Sequence, residues 1–353
     1  MTRTENILVV NPGSTTTKIA LFVGDRQERA EVIRHPTEML QRFVHVWEQY
    51  GPRLEAVLVW ASAHVQEVSA VVGLGGLFRP LHGGTYLVNE KMLADARANL
   101  QGEHPSNLGC AMADAIARQH GCDAFVVDPV SVDELEPLAR YSGHPAIQRS
   151  SLSHALNIHA AAQRAARELS IPLSSSRFVI AHLGGGISVA PVRGGNIIDV
   201  NDASSDGPFS PERTGGLPLQ QFITLCFSGK YNERELRTLV RGKGGLVAYL
   251  GTNSALEVEE RIARGDTKAR ETYEAMAYQI SKEIGAMTAV LAGGVQAIVL
   301  TGGLASSSVL VGWITERVNF IGPVLVYPGE DEMRSLARGA LRVLRGEMKA
   351  LEY

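Results

Sequence analysis

The N-terminal stretch alternates short apolar runs with polar turns. Apolar residues occupy Ile7–Val10 and Ile19–Val23. Runs of this length that contain β-branched and aromatic residues are typical of β-strands. Residues 6–33 are therefore predicted to form three short strands in a meander, with Gly24-Asp25 as one of its turns.

Farther along, helical and strand-like patterns alternate. Helices are predicted at 37–50, with Thr37 as N-cap, and at about 89–100 and 107–120, and buried strands at 56–60 and 124–127. The second strand ends at Asp128, directly before a proline. Because helices alternate with strands in this way, the sequence indicates an α/β fold.

The second half of the chain, from about residue 150, continues the alternation. Its predicted helices lie at about 151–169, 217–228, 233–240, 267–292, 306–319 and 333–349, and its predicted strands at 178–190, 297–303 and 324–327. A glycine turn interrupts 178–190, so this segment has the same layout as 6–23 and suggests two similar halves. The polar stretch 199–216 is predicted to be a long loop, either functional or disordered.

Four predicted strands end in polar or glycine-rich turns. These turns follow Val10, Ala181, Leu300 and Val326, and several of the 36 glycines are clustered in them. Ligands of α/β proteins bind at the carboxyl ends of strands, and glycine lets the backbone approach a phosphate closely. Phosphate-binding loops are therefore expected at these positions.

The first of these turns, residues 11–18, reads Asn-Pro-Gly-Ser-Thr-Thr-Thr-Lys. Its amides, hydroxyls and lysine could form a phosphate cradle on a β-hairpin, although an ordinary polar hairpin turn has the same composition. It is not a Walker A loop, because Lys18 leads into a strand and not into a helix. The residues of this turn alone leave both interpretations open.

Composition narrows the class of protein. The chain has 353 residues and a formal net charge of -3, so about two domains are expected and no nucleic-acid partner. Its three cysteines are too few and too scattered for a disulfide framework or a zinc site. No apolar run is long enough to span a membrane, and no secretory signal opens the chain. These features predict a soluble cytoplasmic protein with no membrane partner.

Several motifs together carry a resemblance to a known family. The hairpin NPGSTTTK, the turn HLGGGISV, the loop DGPFSPERTGG, the strand end LTGG and the turn YPGEDEM occur in one order along the chain. In this combination the chain resembles the acetokinase family, and GLVAYLGTN and GGTYLVNEKMLADA favour its butyrate branch, which includes branched-chain fatty acid kinases. The likeness covers essentially the whole sequence.

The resemblance implies an architecture. Two related domains of the actin, hexokinase and acetate kinase type would flank a nucleotide cleft. The N-terminal domain would comprise 1–150, with the C-terminal helix 333–353 packed back on it, and the nucleotide-binding domain 151–332. A homodimer or a higher homo-oligomer is also implied.

The resemblance further implies a reaction: reversible transfer of the γ-phosphoryl group of ATP, with Mg²⁺, to a short-chain carboxylate such as butyrate or isobutyrate. A carboxylate of pKa about 4.3 is already an ionised nucleophile at neutral pH, so positive charge and alignment are needed and a general base is not.

The family likeness assigns roles to particular residues. Phosphate or metal contacts are implied for Asn11, Ser14, Thr16 and Lys18; wrapping of the β- and γ-phosphates for Gly184, Gly185 and Gly186, with His182 beside them; and nucleotide contact for Gly302 and Gly303. Arg213 would neutralise charge on the transferring group, Asp128, Glu330 and Glu332 would organise Mg²⁺, and Arg79 would hold the carboxylate.

The chain departs from the family pattern at three positions. Leu74 stands where the butyrate branch suggests an arginine, which leaves Arg79 as the nearest substitute. Arg149 lies where acetate kinases carry a catalytic histidine and could replace its charge. Ser254 follows Asn253 where an acid is expected near the nucleotide.

Two other functional classes compete with the kinase interpretation. An actin-like nucleotide-dependent binding or regulatory module would need the phosphate loops, but not the cluster of Arg213, Asp128 and Arg79 aimed at a second substrate. A dinucleotide-dependent oxidoreductase would need Gly-x-Gly-x-x-Gly at the start of a helix and an acid about 20 residues later. No glycine cluster of the sequence meets both conditions.

Overall fold

The structure is a computed structural model that describes residues 5–353. Within this range the chain forms two β-sheets surrounded by α-helices, which confirms the predicted α/β class. Among these helices, none combines the length and the apolar character that crossing a membrane requires. The expectation that no secretory signal opens the chain concerns in part Met1 to Thr4, which lie outside the described residues.

The secondary-structure elements follow one another along the chain in an alternating order. The strands are β1 Asn6–Pro12, β2 Thr16–Val23, β3 Arg26–Arg34, β4 Ala70–Leu74, β5 Thr85–Leu87, β6 Asp123–Val127, β7 Arg177–Leu183, β8 Ile187–Arg193, β9 Asn196–Ile197, β10 Ala297–Gly302 and β11 Val324–Pro328. The α-helices are α1 Thr37–Leu40, α2 Tyr50–His64, α3 Glu90–Arg97, α4 Asn107–His120, α5 Ala155–Glu168, α6 Leu219–Cys226, α7 Glu233–Val240, α8 Gly245–Leu250, α9 Ala255–Ala263, α10 Thr267–Val290, α11 Ser308–Val318 and α12 Glu332–Leu344.

The chain divides into two compact units. The first contains the residues up to Asp133 together with Asp331–Tyr353, and the second contains Glu134–Glu330. The C-terminal segment therefore belongs to the same unit as the N-terminal hairpin. The domain limits expected from the sequence, 1–150 with 333–353 and then 151–332, remain a proposal.

The first unit is built on a six-stranded sheet in the order β3-β2-β1-β4-β6-β5. Strands β1 to β3 form the predicted antiparallel meander, whereas β1, β4 and β6 run parallel. Their carboxyl ends therefore lie at one edge of the sheet, where α/β proteins bind ligands. Asn11, near the end of β1, and Asp128, just after β6, both lie at this edge.

Helices cover the sheet of the first unit. Buried side chains of α4, including Leu108, Met112 and Ile116, pack with Val57 of α2 against the apolar residues of β1 and β4. Full burial of each such large apolar side chain stabilises the fold by about 1.5–3 kcal/mol. Helix α12 also packs against strands of this sheet and buries Leu336 and Leu341.

Helix α4 approaches β4 so closely that only glycine fits at the crossing. A Cβ atom on Gly109 would collide with the Leu74 carbonyl oxygen, which is backbone and cannot move aside cheaply. We expect Gly109→Ala to lower the free energy of unfolding by about 3 kcal/mol. Urea denaturation can be followed by the fluorescence of Trp47 and Trp60, which lie in this unit, after Trp313 is replaced by Phe.

Gly51→Ala is the matched control for this prediction. Gly51 lies in α2, and a Cβ at this position meets no other atom within 4 Å. Alanine there should leave stability unchanged or raise it by about 0.5 kcal/mol, because alanine has the higher helix propensity. An equal loss for both substitutions would contradict the close-approach explanation.

The second unit is built on a five-stranded sheet in the order β11-β10-β7-β8-β9. Strands β7, β10 and β11 run parallel, while β7 and β8 form an antiparallel hairpin. The long helix α10 packs its buried face, which includes Tyr273, Met276 and Ile280, into the core on β7 and β8. The alanine-rich α5 packs against β7 and β10. The parallel strands bring the glycine turns after β7, β10 and β11 to one edge.

Two predictions near residue 50 are wrong. The run 56–60, predicted as a strand, lies within α2, and the predicted helix 37–50 is divided among α1, a 3-10 turn at Val46–Gln49 and the first residue of α2. A five-residue apolar run does not distinguish a strand from a buried helix. Pro52 is tolerated in the first turn of α2, because an N–H group there has no helical partner. The strand beside β1 is instead β4.

Other predicted elements differ in extent or were not expected. Helix α5 begins at Ala155 and not at 151, and α8, α9, β4, β5 and β9 have no counterpart among the predictions. Helix α12 ends at Leu344, short of 349, and is followed by Gly346 in the left-handed conformation that commonly ends helices. Beyond it the chain runs beside β5, where the Leu351 N–H donates to the Thr85 carbonyl oxygen at 2.8 Å.

Candidate active site

The N-terminal hairpin places four predicted phosphate contacts at the sheet edge of the first unit. Asn11 is buried, Thr16 is half-buried, and Ser14 and Lys18 are exposed. The Asn11 amide Nδ2 donates to Glu332 Oε2 at 2.8 Å, and Lys18 Nζ lies 3.7 Å from the same oxygen. Asn11, Lys18 and Glu332 are therefore brought together, and their roles in phosphate or metal binding remain predictions.

A buried arginine lies beneath this hairpin. Arg53 of α2 is completely buried, and its guanidinium donates to the carbonyl oxygens of Gly13 and Ser14 at 2.8 Å and of Thr16 at 3.1 Å. Its remaining donors reach Gln49 Oε1 at 2.9–3.1 Å. Burial lowers the pKa of Arg53 from its usual value, but a guanidinium remains charged at neutral pH.

His35 completes the packing under the hairpin. Its Nε2 lies 2.8 Å from Thr17 Oγ1. Burial, and secondarily the Arg53 charge, lower the pKa of His35 from 6.5 to about 4. The imidazole is therefore neutral at pH 7 in the folded protein.

The depressed pKa of His35 predicts a loss of stability in acid. The unfolded imidazole takes up its proton near pH 6.5 and the folded one only near pH 4, so folding is penalised as the pH falls through this interval. The penalty reaches at most about 3 kcal/mol. Urea denaturation of the wild type and His35→Gln between pH 7 and about pH 4 should show the wild type losing more stability. Parallel pH profiles would contradict the prediction.

Asp128 lies at the same edge, two strands away from β1. Its Oδ1 accepts from the Gly84 N–H at 2.7 Å, and its own N–H donates to the Gly84 carbonyl oxygen at 3.0 Å. Asp128 has a φ of 39°, which is unusual for a residue other than glycine. Neighbouring strands are about 4.8 Å apart, so Asn11 and Asp128 are separated by about 10 Å across the sheet edge.

Arg79 interacts with other residues of the first unit. Its guanidinium forms a short ion pair with Asp95, and its N–H donates to the Tyr353 hydroxyl at 3.2 Å. The hydrogen bonds to Asp95 and then to Tyr353 raise the pKa of Arg79. The predicted carboxylate-binding role would require Arg79 to exchange this ion pair for a substrate, and the role remains a prediction.

In the second unit, the turn after β7 brings several predicted residues together. His182 Nε2 lies 3.1 Å from Glu330 Oε1, and its Nδ1 lies 2.9 Å from Asn157 Oδ1. A Cβ on Gly184 would lie 3.0 Å from His182 Nε2 and 3.5 Å from Glu330 Oε1. Gly302, at the end of β10, and Gly329 exchange backbone hydrogen bonds of 3.0 and 3.2 Å. The turns after β7, β10 and β11 therefore meet at one edge.

Arg213 points at the same glycine turn. Its guanidinium lies so close to Gly186 that a Cβ on this glycine would collide with it. The Arg213 Nη1 donates to the Ala203 carbonyl oxygen at 2.6 Å, and its N–H donates to Ser210 Oγ at 3.2 Å. Burial, and next the nearby Arg241, lower the pKa of Arg213. The arrangement places a cation beside the backbone of a glycine turn, and both kinds of group bind phosphate.

Two further predicted site residues, Arg149 and Gly303, also lie in the second unit. Arg149 donates to the carbonyl oxygens of Ala139 at 2.6 Å and Val200 at 3.1 Å and forms a 2.9 Å ion pair with Asp199. These partners occupy its guanidinium, and its role as a substitute for a catalytic histidine remains a prediction. Gly303 begins a 3-10 turn after β10, and a Cβ there would meet no atom within 4 Å.

Comparisons with known proteins identify relatives of this chain. A profile described as the acetokinase family matches residues 149–325. The "Probable butyrate kinase 2" of Caldanaerobacter subterraneus subsp. tengcongensis is 51% identical over 344 residues, which cover 97% of both chains. The "Butyrate kinase 2" of Clostridium acetobutylicum is 48% identical over 351 residues, which cover 98% of this chain and 99% of that protein.

The chain belongs to the acetokinase family. Solved structures agree on the fold: the acetate kinase of Porphyromonas gingivalis has a TM-score of 0.78 at 18% identity and covers 96% of this chain and 100% of its own. A propionate kinase of Francisella tularensis has a TM-score of 0.73 at 18% identity, with 95% and 98% covered. The predicted acetate kinase type of fold is confirmed.

Some residues of this acetokinase contact the site although sequence reasoning assigned them no role in it. His154 stacks on His182 with ring centroids 3.9 Å apart, and its Nδ1 lies 2.9 Å from Ser188 Oγ. Burial, and then His182 and Arg213, hold the pKa of His154 well below its usual value, so its ring is neutral. Asn157, three residues later on α5, was not singled out either. His154 is the N-cap residue of α5, and its spacing of three residues from Asn157 was the available signal.

Proposed function

We propose that this acetokinase transfers the γ-phosphoryl group of ATP reversibly to a short-chain carboxylate, with butyrate or isobutyrate as the substrate. The observation that carries the proposal is the half-buried Arg213 guanidinium set against the glycine turn at Gly186. Identities of 48–51% over nearly the whole chain to proteins named butyrate kinase support the choice of substrate.

The chemistry needs no general base. A carboxylate oxygen forms the new bond to the γ-phosphorus while the bond to the bridging oxygen breaks, and ADP leaves. The barrier lies in bringing one anion up to another, so fixed positive charge and alignment lower it. In the second unit Arg213 supplies charge beside the glycine turn, and in the first unit Lys18 and the amides of the hairpin do so.

Mg²⁺ fits the donor chemistry of the predicted residues. Carboxylate oxygens of Asp128, Glu330 and Glu332 and the Asn11 amide oxygen are hard ligands, and Mg²⁺ in kinases is held by one or two carboxylates together with phosphate oxygens. The described residues contain no group of three or more His, Cys, Asp or Glu side chains placed to hold a metal ion on their own. When bound, the ion would supply positive charge to the phosphate oxygens.

An actin-like nucleotide-dependent module is the alternative function. Such a module needs phosphate-binding turns but no cation beside a transferring group. Arg213 and the identity to named kinases favour the enzyme. A homodimer or higher homo-oligomer and a cytoplasmic location remain predictions.

The test is ATP-dependent acyl hydroxamate formation, in which hydroxylamine traps the acyl phosphate. Acetate, propionate, butyrate, isobutyrate and isovalerate would be compared with and without Mg²⁺. Mg²⁺-dependent turnover that is highest with butyrate or isobutyrate is expected. If ATP binds but no acid yields hydroxamate, the kinase proposal is wrong and the nucleotide-dependent module replaces it.

A further inference from the structure

The inference concerns the buried Arg53 beneath the N-terminal hairpin. Arg53 is completely buried, yet no carboxylate of residues 5–353 forms an ion pair with it. Buried charges are normally paired because an isolated one is costly. Here the charge is compensated by carbonyl dipoles, by Gln49 and by the Thr17 hydroxyl, whose Oγ1 lies 3.4 Å from Nη1. A cation kept at this cost under a turn that faces an expected anion calls for a functional explanation.

The hydrogen bonds of Arg53 fix the direction of the peptide groups in the turn. The Gly13 and Ser14 carbonyl oxygens both point to the guanidinium at 2.8 Å. In a trans peptide the N–H group points opposite to the carbonyl group, so the amides of Ser14 and Thr15 are directed away from Arg53. Neither residue is buried. Two successive amides on the accessible side form an anion-binding concavity.

The same contacts remove the acceptors that would repel a phosphate. The Thr16 carbonyl oxygen accepts from Arg53 at 3.1 Å and from the Gly13 N–H at 2.8 Å. The Thr15 carbonyl oxygen accepts from the His35 N–H at 2.9 Å. Every carbonyl group from Gly13 to Thr16 is therefore hydrogen-bonded within the unit. The turn therefore directs its backbone N–H groups to the accessible side, while its carbonyl groups are already hydrogen-bonded. Such a turn is selective for an anion.

We propose that Arg53 is a positioning residue for phosphoryl transfer: its guanidinium holds the carbonyl groups of the hairpin turn inward, so that the Ser14 and Thr15 amides face the transferring phosphoryl group. Its positive charge, which no carboxylate of residues 5–353 neutralises, adds to the positive potential of the turn together with Lys18. Arg53 itself does not touch the substrate. The assignment of the bound group rests on the proposed function, whereas the orientation of the turn does not.

The variant Arg53→Lys tests the hydrogen-bonding geometry of the guanidinium separately from its positive charge. Lysine keeps the cation but lacks the planar fork that reaches two carbonyl groups at once. We expect kcat to fall about 30-fold, with KM for ATP changed less than about threefold, because the turn acts mainly on the group in transfer. Gln49→Ala, which removes only the acceptor that orients the fork, should lower kcat less, by about fivefold.

Val57→Ala is the matched control for a general destabilisation of the first unit. Val57 lies on α2 one turn after Arg53 and is completely buried, but it belongs to the apolar core and not to the turn. Kinetics would be measured well below the melting temperature of each variant. Val57→Ala should lower the melting temperature while leaving kcat within about twofold. If it lowers kcat as much as Arg53→Lys, the effect is general and the proposal is overturned.

A second readout does not depend on kinase activity. In protein labelled with ¹⁵N-serine and ¹⁵N-threonine, the Ser14 and Thr15 amide resonances report the orientation of the turn. Without substrate, Arg53→Lys should shift both resonances and Val57→Ala should leave them in place. Unshifted resonances together with unchanged kcat would overturn the inference. If the wild type forms no hydroxamate but the resonances shift as expected, the kinase proposal fails and the orienting role of Arg53 stands.

Discussion

Replacing Arg213 with alanine is expected to lower kcat for acyl phosphate formation about a thousandfold. Arg213 lies beside the Gly186 turn and is half-buried, so its charge is screened by water less than that of an exposed arginine. In the variant, the Arg213 guanidinium would no longer stabilise the negative charge that develops on the transferring phosphoryl group. KM for ATP should change much less, since the contact strengthens in the transition state. Steady-state kinetics by the hydroxamate assay measures both parameters.

Arg237→Ala is the matched control for the Arg213 prediction. Arg237 also lies in the second unit, but on the exposed face of α7, where it pairs with Glu233 at 2.7 Å. Its loss should leave kcat within about twofold, since exposed ion pairs contribute little. Arg213→Lys should retain part of the activity, because the charge remains. A kcat for Arg213→Ala within tenfold of the wild type would exclude a charge-stabilising role.

Local patterns predicted the β1–β2 and β7–β8 hairpins and the parallel strands β6, β10 and β11 well, but not the parallel strand β4. The runs at β1 and β2 are bounded by turn residues, so type and extent were readable from the sequence. The type of element at 56–60 was not readable from the sequence, because its apolar residues suit a buried strand and a buried helix face equally. Only tertiary pairing decides: β4 occupies the place beside β1.

Contacts between distant residues limited the prediction of the candidate site. Arg213 was singled out by resemblance, but its approach to Gly186 depends on the path of the loop between them. Arg53 was missed because an arginine in a helical segment is ordinarily exposed. Its burial becomes explicable only once the turn at Gly13 to Thr16 is seen to direct its carbonyl groups at it. Residue type alone therefore cannot identify a group that acts through another.

Asn11→Asp is expected to lower kcat about a hundredfold. The Asn11 Nδ2 donor lies 2.8 Å from Glu332 Oε2, so an aspartate would bring two carboxylates into contact at a buried position. It would also add negative charge where a phosphoryl group is expected. The free energy of unfolding should fall by about 2 kcal/mol at neutral pH, because a hydrogen bond is replaced by repulsion.

The pH dependence of Asn11→Asp identifies the cause. Two adjacent carboxylates raise the pKa at which the pair takes up a proton in the folded state. Proton uptake relieves the repulsion, so the deficit in stability and in kcat should shrink as the pH falls from about 8 to 6. The double variant Asn11→Asp/Glu332→Gln restores a donor opposite the new carboxylate and should recover most of the stability. If it is as unstable as the single variant, repulsion between residues 11 and 332 is not the cause.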